Sequence, residues 1–223
     1  MKKTIIFDLD GTLVDIQPIF FRIINVLAAE FNYTPLTPEA IPSLRELHLR
    51  KFIFDRLGWR FFLFPKILKR GREEYRRLVP EVDLFPGIAA LFPILRERGY
   101  RIGVVSSSEE KTVRALLQKF KLETDFIYHS SLFGKARTLK KAMQEQSLTT
   151  TNTLYVGDEI RDVEACRKAN LPIIAVTWGL NSEASLRKAG AETVATPNEL
   201  LAAILSKRLA EPVTSSSHQK MSV

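Results

Sequence analysis

Cysteine and histidine are scarce in this chain of 223 residues. It has one cysteine, Cys166, and three histidines, His48, His129 and His218, which lack the spacing of metal ligands. A single cysteine excludes an intrachain disulfide and any metal site made of several cysteines. We interpret the histidines as structural or surface residues and Cys166 as a small core residue. The composition favours a reducing cytoplasm, and a metal in this chain would need oxygen ligands.

Long apolar segments are also missing. No stretch approaches the roughly 20 residues that cross a bilayer. The short apolar run after Lys3 is interrupted by Asp8 and Asp10, which is too early for a signal peptide. The composition, 45% hydrophobic and 26% charged, is close to the average of globular proteins. We therefore expect a protein that is neither exported nor embedded in a membrane.

Segments rich in β-branched residues alternate with segments of helical periodicity, which is typical of a parallel sheet covered by helices on both faces. The predicted strands are 4–9, 100–106, 125–129, 153–157, 172–177 and 192–195. The predicted helices between and after them are 86–98, 109–120, 135–146, 160–169 and 197–209. The sequence therefore predicts an α/β fold with a doubly wound parallel sheet.

The interval 16–83 interrupts this alternation. Its apolar residues recur at helical spacing, broken by prolines and glycines, and no convincing strand is present. We predict a small inserted α-helical cap domain here, with its own apolar core formed by Trp59, Phe61, Phe62 and Phe64. Residues 1–15 and 84–209 are predicted to form the α/β core domain. Residues 210–223 include a serine run and lack apolar periodicity, so we predict a disordered tail.

Four carboxylates follow two of the predicted strands. Asp8 and Asp10 are two residues apart where the first strand ends, so they point the same way. Asp158 and Asp162 follow strand 153–157 and share one face of the next helix. Acidic residues at a helix start can simply be caps. However, ligands bind at the carboxyl ends of strands in open α/β sheets, and clustered like charges there need a cation or a shared proton. We therefore expect a divalent metal.

These fragments resemble the haloacid dehalogenase superfamily, and within it the phosphoglycolate-phosphatase-like branch with a helical cap. The resemblance covers residues 3–201 and rests on four motifs. The first, Asp-x-Asp-Gly-Thr, stands at 8–12, and the second is a serine after an apolar strand, Ser106. The third is a lysine, best matched by Lys135, and the fourth, Gly-Asp-x-x-x-Asp, stands at 157–162.

The resemblance implies a Mg²⁺-dependent phosphatase that acts on a small anionic phosphoester. Asp8 would attack phosphorus and form an aspartyl-phosphate. Asp10 would protonate the leaving oxygen and then activate water. Ser106 and Lys135 would stabilise the phosphoryl charge. The implied ligands of Mg²⁺ are oxygen atoms of Asp8, the backbone carbonyl of Asp10, Asp158 and, through water or as a support, Asp162.

Positive charge is concentrated in the predicted cap. The formal net charge of the chain is +8, and 45–77 alone has eleven Lys or Arg against four Asp or Glu, an excess of seven. One interpretation is that these side chains are solvated or paired with nearby acids. The other is that Arg45, Arg50 and Lys51 bind the non-phosphate end of an anionic substrate, as a closing lid would. Ser107, next to the second motif, is a further candidate for substrate binding.

Other functions remain open on the sequence alone. A phosphomutase would share every core motif and differ in how the cap retains a bisphosphate intermediate. A nucleic-acid-binding module could use the basic cap, but the four carboxylates would repel phosphate unless a metal were bound. A dehalogenase is disfavoured because its chemistry leaves no oxygen for Asp10 to protonate. The identity of the substrate and the choice between monomer and homodimer stay open.

Overall fold

The computed structural model describes residues 2–207 and 209, so the predicted tail, 210–223, lies outside the described residues. The strands of the main sheet are β1 (Thr4–Phe7), β4 (Arg101–Ser106), β5 (Phe126–His129), β6 (Thr153–Gly157), β7 (Ile173–Val176) and β8 (Glu192–Val194). They form one sheet in the order β5-β4-β1-β6-β7-β8, and all neighbouring pairs are parallel. This confirms the predicted α/β fold with a doubly wound parallel sheet.

The helices of the described residues fall into two groups. The segment between β1 and β4 has α1 (Gln17–Phe31), α2 (Ile41–Arg45), α3 (Leu49–Leu57), α4 (Phe64–Leu78) and α5 (Ile88–Glu97). The remainder of the core has α6 (Glu110–Lys119), α7 (Lys135–Glu145), α8 (Ile160–Ala169), α9 (Glu183–Lys188) and α10 (Pro197–Ser206). Helix α9 is short and was not predicted. Within 2–207 and at 209, no helix combines the length and the apolar character that a bilayer crossing requires.

Two very short strands join the helices α1 to α4 to the sheet. Strand β2 (Val14–Asp15) pairs with β3 (Asp83–Leu84) in antiparallel register, with Val14 opposite Leu84. The chain therefore leaves the main sheet and returns to it through two neighbouring strands. Strands of two residues are too short to show a period of two, which is why the sequence pattern did not reveal them.

Apolar side chains of the sheet pack against helices on both faces, as the nearly continuous apolar strands require. On one face, Ile5 and Phe7 of β1 belong to a core cluster with Leu95 of α5 and Leu116 of α6. On the other face, the buried cluster includes β1 residue Ile6 and the side chains Leu139, Tyr155 and Cys166. The interpretation of Cys166 as a small core residue is confirmed.

The aromatic residues expected to form the core of the cap do not do so. Trp59 is 80% exposed, Phe62 66% and Phe61 43%, and only Phe64 packs against the cap core. The physical reason is local, because 58–63 is a 3₁₀ helix with three residues per turn, which displays this aromatic run on the outside. The buried core of the cap consists of Leu27, Leu36, Leu44, Phe52, Ile53, Leu57 and Ile67.

The three central strands end at the same edge of the sheet. Phe7 of β1 lies opposite Val104 of β4 and Val156 of β6. Asp8 follows β1 and Asp158 follows β6. Both residues therefore lie near the end of β4. This carboxyl edge is where open α/β sheets bind ligands.

Candidate active site

Asp8 is a buried carboxylate at the end of β1. Its Oδ2 accepts a hydrogen bond of 2.6 Å from Nζ of Lys135, and its Oδ1 accepts one of 2.8 Å from the backbone N–H of Leu9. Burial raises the pKa of Asp8 from 3.8 to about 7, although the Lys135 ammonium group opposes this shift. These contacts fix one carboxylate oxygen of Asp8 on the ammonium group and orient the carboxylate at the edge of the sheet.

Lys135 is the first residue of α7, and its side chain is buried between two carboxylates. It donates to Asp8 and, through a second short hydrogen bond, to Asp162. Burial alone would lower the pKa of Lys135, but the carboxylates of Asp162 and Asp8 raise it. Lys135 therefore carries its positive charge at any ordinary pH, as the stabilisation of a phosphoryl group requires.

Asp162 organises the loop that follows β6. Its Oδ2 accepts hydrogen bonds from the backbone N–H groups of Asp158 at 3.2 Å and Glu159 at 3.1 Å. Its Oδ1 accepts from Lys135 and, at 3.4 Å, from the hydroxyl of Tyr155. Each oxygen atom of Asp162 therefore accepts two hydrogen bonds from the protein, which suits a supporting residue better than a direct metal ligand.

Asp158 has the closest packing in the site. Thr12 donates its hydroxyl to Oδ1 at 2.8 Å, and the backbone N–H of Leu180 donates to Oδ2 at 2.7 Å. A Cβ atom on Gly11 or Gly179 would lie 2.2 or 2.3 Å from Oδ2 of Asp158. Only glycine leaves room for the carboxylate at these two positions, and Gly11 also has a φ of +79°.

The donor set of this site fits a divalent cation. One oxygen atom each of Asp8, Asp158 and Asp162 lies within 4.8 Å of the others, and all three residues are buried. Burial, followed by repulsion from Glu159, raises the pKa of Asp158 well above its usual value. Lys135 supplies one positive charge for three carboxylates, so a hard divalent cation with oxygen ligands would compensate the remaining charge.

Asp10 faces the cap rather than this carboxylate cluster. Its Oδ2 accepts a hydrogen bond of 2.5 Å from the hydroxyl of Ser108, and its Oδ1 accepts a short one from the hydroxyl of Tyr75 on α4. Burial raises the pKa of Asp10, while both hydroxyl contacts oppose the shift. A carboxyl group with a raised pKa between α4 and the end of β4 is suited to donate and accept a proton.

The serines after β4 lie beside these carboxylates. Ser106 is fully buried, and its Oγ accepts a hydrogen bond of 3.0 Å from the backbone N–H of Ser108. Ser107 lines both cavities that open next to Asp10. The structure therefore places both predicted serines at the site, with Ser106 orienting the loop and Ser107 facing the open space.

The three basic candidates of the cap lie in different surroundings. Arg45 donates to the carbonyl oxygen of Thr177 at 2.9 Å and lines a cavity of about 170 Å³, which we call the polar cleft. The side chains around Arg45 in the polar cleft include Asp10, Gln17, Asp158, Glu159 and Arg161.

The other two candidates do not line the polar cleft. The guanidinium group of Arg50 lies 4.8 Å from the ring centre of Phe133. Lys51 forms an exposed ion pair of 2.8 Å with Asp55. Of the three, Arg45 is the one that the structure brings to the edge of the sheet.

Sequence motifs did not reveal several polar residues of the site. Tyr75 and Ser108 hold Asp10, Thr12 holds Asp158, and Arg161 pairs with Glu159. Thr12 belongs to the first motif and Ser108 adjoins the second, so their positions offered a signal. Tyr75 stands 65 residues from Asp10 in the chain, and no local pattern marks it.

Comparison with known proteins assigns the chain to a family. The family model described as haloacid dehalogenase-like hydrolase matches residues 5–176. A phosphoglycolate phosphatase from Synechococcus elongatus is 34% identical over 206 residues, which cover 91% of this chain and 97% of that protein. A phosphoglycolate phosphatase from Xanthomonas campestris is 25% identical over 189 residues, which cover 79% and 84% of the two chains.

A solved structure shows the same fold. It is a haloacid dehalogenase-like family hydrolase from Streptococcus pneumoniae, with a TM-score of 0.78 and 23% identity. The match covers 91% of this chain and 98% of that one. The motif geometry, the family model and the relative at 34% identity agree, and the chain therefore belongs to the haloacid dehalogenase-like hydrolases.

Proposed function

We propose that this protein is a Mg²⁺-dependent phosphatase of small phosphomonoesters that works through an aspartyl-phosphate on Asp8. The observation that carries the proposal is the pair Asp8 and Asp10, one carboxylate fixed by Lys135 among metal-ligating oxygens and the other turned towards the cap. Relatives described as phosphoglycolate phosphatases support a phosphomonoester substrate. The single buried, unpaired cysteine supports a cytoplasmic setting.

In the first half-reaction, a carboxylate oxygen of Asp8 attacks phosphorus and the bond from phosphorus to the ester oxygen breaks. Asp10 gives its proton to that oxygen, so that a neutral alcohol leaves. The Lys135 ammonium group lies 2.6 Å from the nucleophile and stabilises the negative charge of the phosphoryl oxygens. The product is an acyl phosphate on Asp8.

In the second half-reaction, Asp10 acts as the base because it has lost its proton. It removes a proton from water, which attacks the acyl phosphate and releases inorganic phosphate, and Asp8 is restored as a carboxylate. The hydrogen bonds from Tyr75 and Ser108 hold Asp10 in one orientation for both steps. Ser106 keeps the loop of Ser108 in place.

Asp8, Asp158 and the backbone carbonyl of Asp10 would hold Mg²⁺, with Asp162 as their support. When bound, the cation supplies charge neutralisation that lets a phosphate dianion approach these carboxylates. Thr12 and Leu180 keep Asp158 aimed at this position. Asp162 holds Lys135 and the loop after β6.

Part of the positive charge of residues 45–77 is paired within the protein. Arg70 and Arg77 both pair with Glu74, and Arg76 pairs with Glu109 of the core. These ion pairs support the interpretation of the basic run as mostly structural. Of the three basic candidates, Arg45 lines the polar cleft, and we assign it to an anionic group of the substrate.

The nucleophile is tested by Asp8→Asn. We expect the variant to lose turnover roughly a thousandfold or more, because the amide is a poor nucleophile and removes one of the two carboxylates that contact Lys135. Phosphate release from a small phosphomonoester in the presence of Mg²⁺ measures this. The control is Asp83→Asn, which changes an exposed carboxylate outside the site. Turnover of Asp8→Asn near that of the control would refute the covalent mechanism.

The cation is tested by removing and restoring Mg²⁺. We expect EDTA to abolish activity and Mg²⁺ to restore it. Asp158→Ala should raise the Mg²⁺ concentration for half-maximal activity more than Asp162→Ala does, because each oxygen of Asp162 accepts two hydrogen bonds from the protein and each oxygen of Asp158 accepts one. A parallel thermal melt should show stabilisation by Mg²⁺ in the native protein and not in Asp158→Ala. Full activity of metal-stripped protein would contradict the assignment.

The anion-binding residue of the cap is tested by Arg45→Ala. We expect KM for a phosphomonoester that carries a carboxylate, such as phosphoglycolate, to rise about tenfold, equivalent to about 1.4 kcal/mol of binding. KM for an aryl phosphate whose aryl group is uncharged should barely change. Lys51→Ala, which removes an exposed side chain of the same charge, is the matched control. Equal effects of both substitutions on both substrates would show that Arg45 is structural.

A further inference from the structure

A second cavity lies inside the cap and opens onto Asp10. It has a volume of about 250 Å³ and extends between helices α1, α3 and α4. Apart from its mouth, its wall is mainly apolar, with side chains that include Ile23, Leu27, Phe52, Ile53, Leu57 and Ile67. We call it the apolar cavity. It is larger than an engineered apolar cavity of about 150 Å³ that binds benzene in another protein.

Of the polar side chains on the wall of the apolar cavity, Tyr33 and Arg56 are engaged by backbone carbonyl groups, and Arg72 and Glu109 also line it. The hydroxyl of Tyr33 donates to the carbonyl oxygen of Ile24 at 2.9 Å. The guanidinium group of Arg56 donates to the carbonyl oxygens of Thr34 and Pro35. Most of the wall therefore offers dispersion contacts, which suit a hydrocarbon group better than a carboxylate.

Asp10, the acid/base group of the proposed mechanism, lies at the mouth of the apolar cavity. Asp10 lines both the apolar cavity and the polar cleft. Tyr75 and Ser108, which hold the two oxygens of Asp10, also line the apolar cavity. The ester oxygen that Asp10 protonates would thus stand where the apolar cavity begins, and the group attached to that oxygen would enter it.

A glycine in the wall keeps this space open. Gly71 lies within α4, where glycine is less favourable than alanine. It lines the apolar cavity, and a Cβ atom there would lie 3.3 Å from Cδ1 of Leu27 and 3.9 Å from Cγ2 of Ile23. Any larger side chain at Gly71 would have to extend between α1 and α4 into the volume.

We propose, on the basis of the phosphatase function above, that the apolar cavity binds the leaving group of phosphomonoesters of apolar alcohols. The substrate class is an alkyl or aryl phosphate whose hydrocarbon part enters the cap. Asp8 takes the phosphoryl group, the bond from phosphorus to the ester oxygen breaks, and the alcohol leaves with the proton of Asp10. Substrates with a carboxylate use Arg45 in the polar cleft instead.

The test is a series of straight-chain alkyl phosphates, from methyl to hexyl, assayed with Mg²⁺. The expected kcat/KM rises about fourfold for each added methylene until the apolar cavity is filled, as burial of one methylene predicts. Gly71→Leu should reduce the ratio of hexyl to methyl phosphate turnover at least tenfold. Lys69→Leu, which adds the same side chain on the exposed side of α4, should keep the native ratio.

Binding of 1-hexanol gives a measurement that needs no catalysis. We expect it to raise the melting temperature of the native protein and of Lys69→Leu, and not that of Gly71→Leu. If Gly71→Leu does not fold by circular dichroism, Ile23→Phe fills the same space from α1 and takes its place.

The outcomes separate the two proposals. A flat chain-length series, with phosphate still released from every ester, would overturn the apolar substrate class and leave the phosphatase intact. Binding of 1-hexanol without hydrolysis of any ester would overturn the phosphatase function and the leaving-group assignment that rests on it. If kcat/KM rises with chain length in the native protein and in Lys69→Leu but not in Gly71→Leu, the apolar cavity is the leaving-group site.

Discussion

The ammonium group of Lys135 lies between the carboxylates of Asp8 and Asp162, and all three are buried. Through these contacts the end of β1, the start of α7 and the start of α8 are joined. Removing one partner of such a group leaves an uncompensated buried charge, which typically costs about 3–5 kcal/mol. The same contacts orient Asp8, the nucleophile of the proposed mechanism, beside Asp158, so the stability of the fold and the proposed chemistry depend on one arrangement.

Asp10 connects this arrangement to the cap. Because Tyr75 of α4 and Ser108 of the core hold its two oxygens, the position of the cap determines the orientation of the proposed acid/base group. Both cavities that meet at Asp10 have mostly apolar walls, but the polar cleft also carries Arg45, Asp158 and Arg161. In the proposed mechanism the cap thus contributes both to the proton transfer and to the choice of leaving group.

Sequence reasoning worked where the chemistry is local in the chain. Asp8 and Asp158 each directly follow a buried strand, and parallel strands end at one edge, so their meeting could be predicted. The role of Tyr75 could not be predicted, because its contact with Asp10 depends on how the cap docks. The interpretation of Trp59 and Phe62 as core residues was wrong, since aromatic character alone does not reveal which side of a 3₁₀ turn faces solvent.

The central claim is that Asp8 carries the phosphoryl group during turnover. Acid-quenching the enzyme in the steady state with a phosphomonoester and Mg²⁺, followed by mass spectrometry of the peptide that contains Asp8, measures this most directly. The account predicts a fraction of that peptide heavier by one phosphoryl group, with the modification on Asp8. Continued release of phosphate with Asp8 unmodified and a phosphoryl group on Ser106 or Ser107 instead would contradict it.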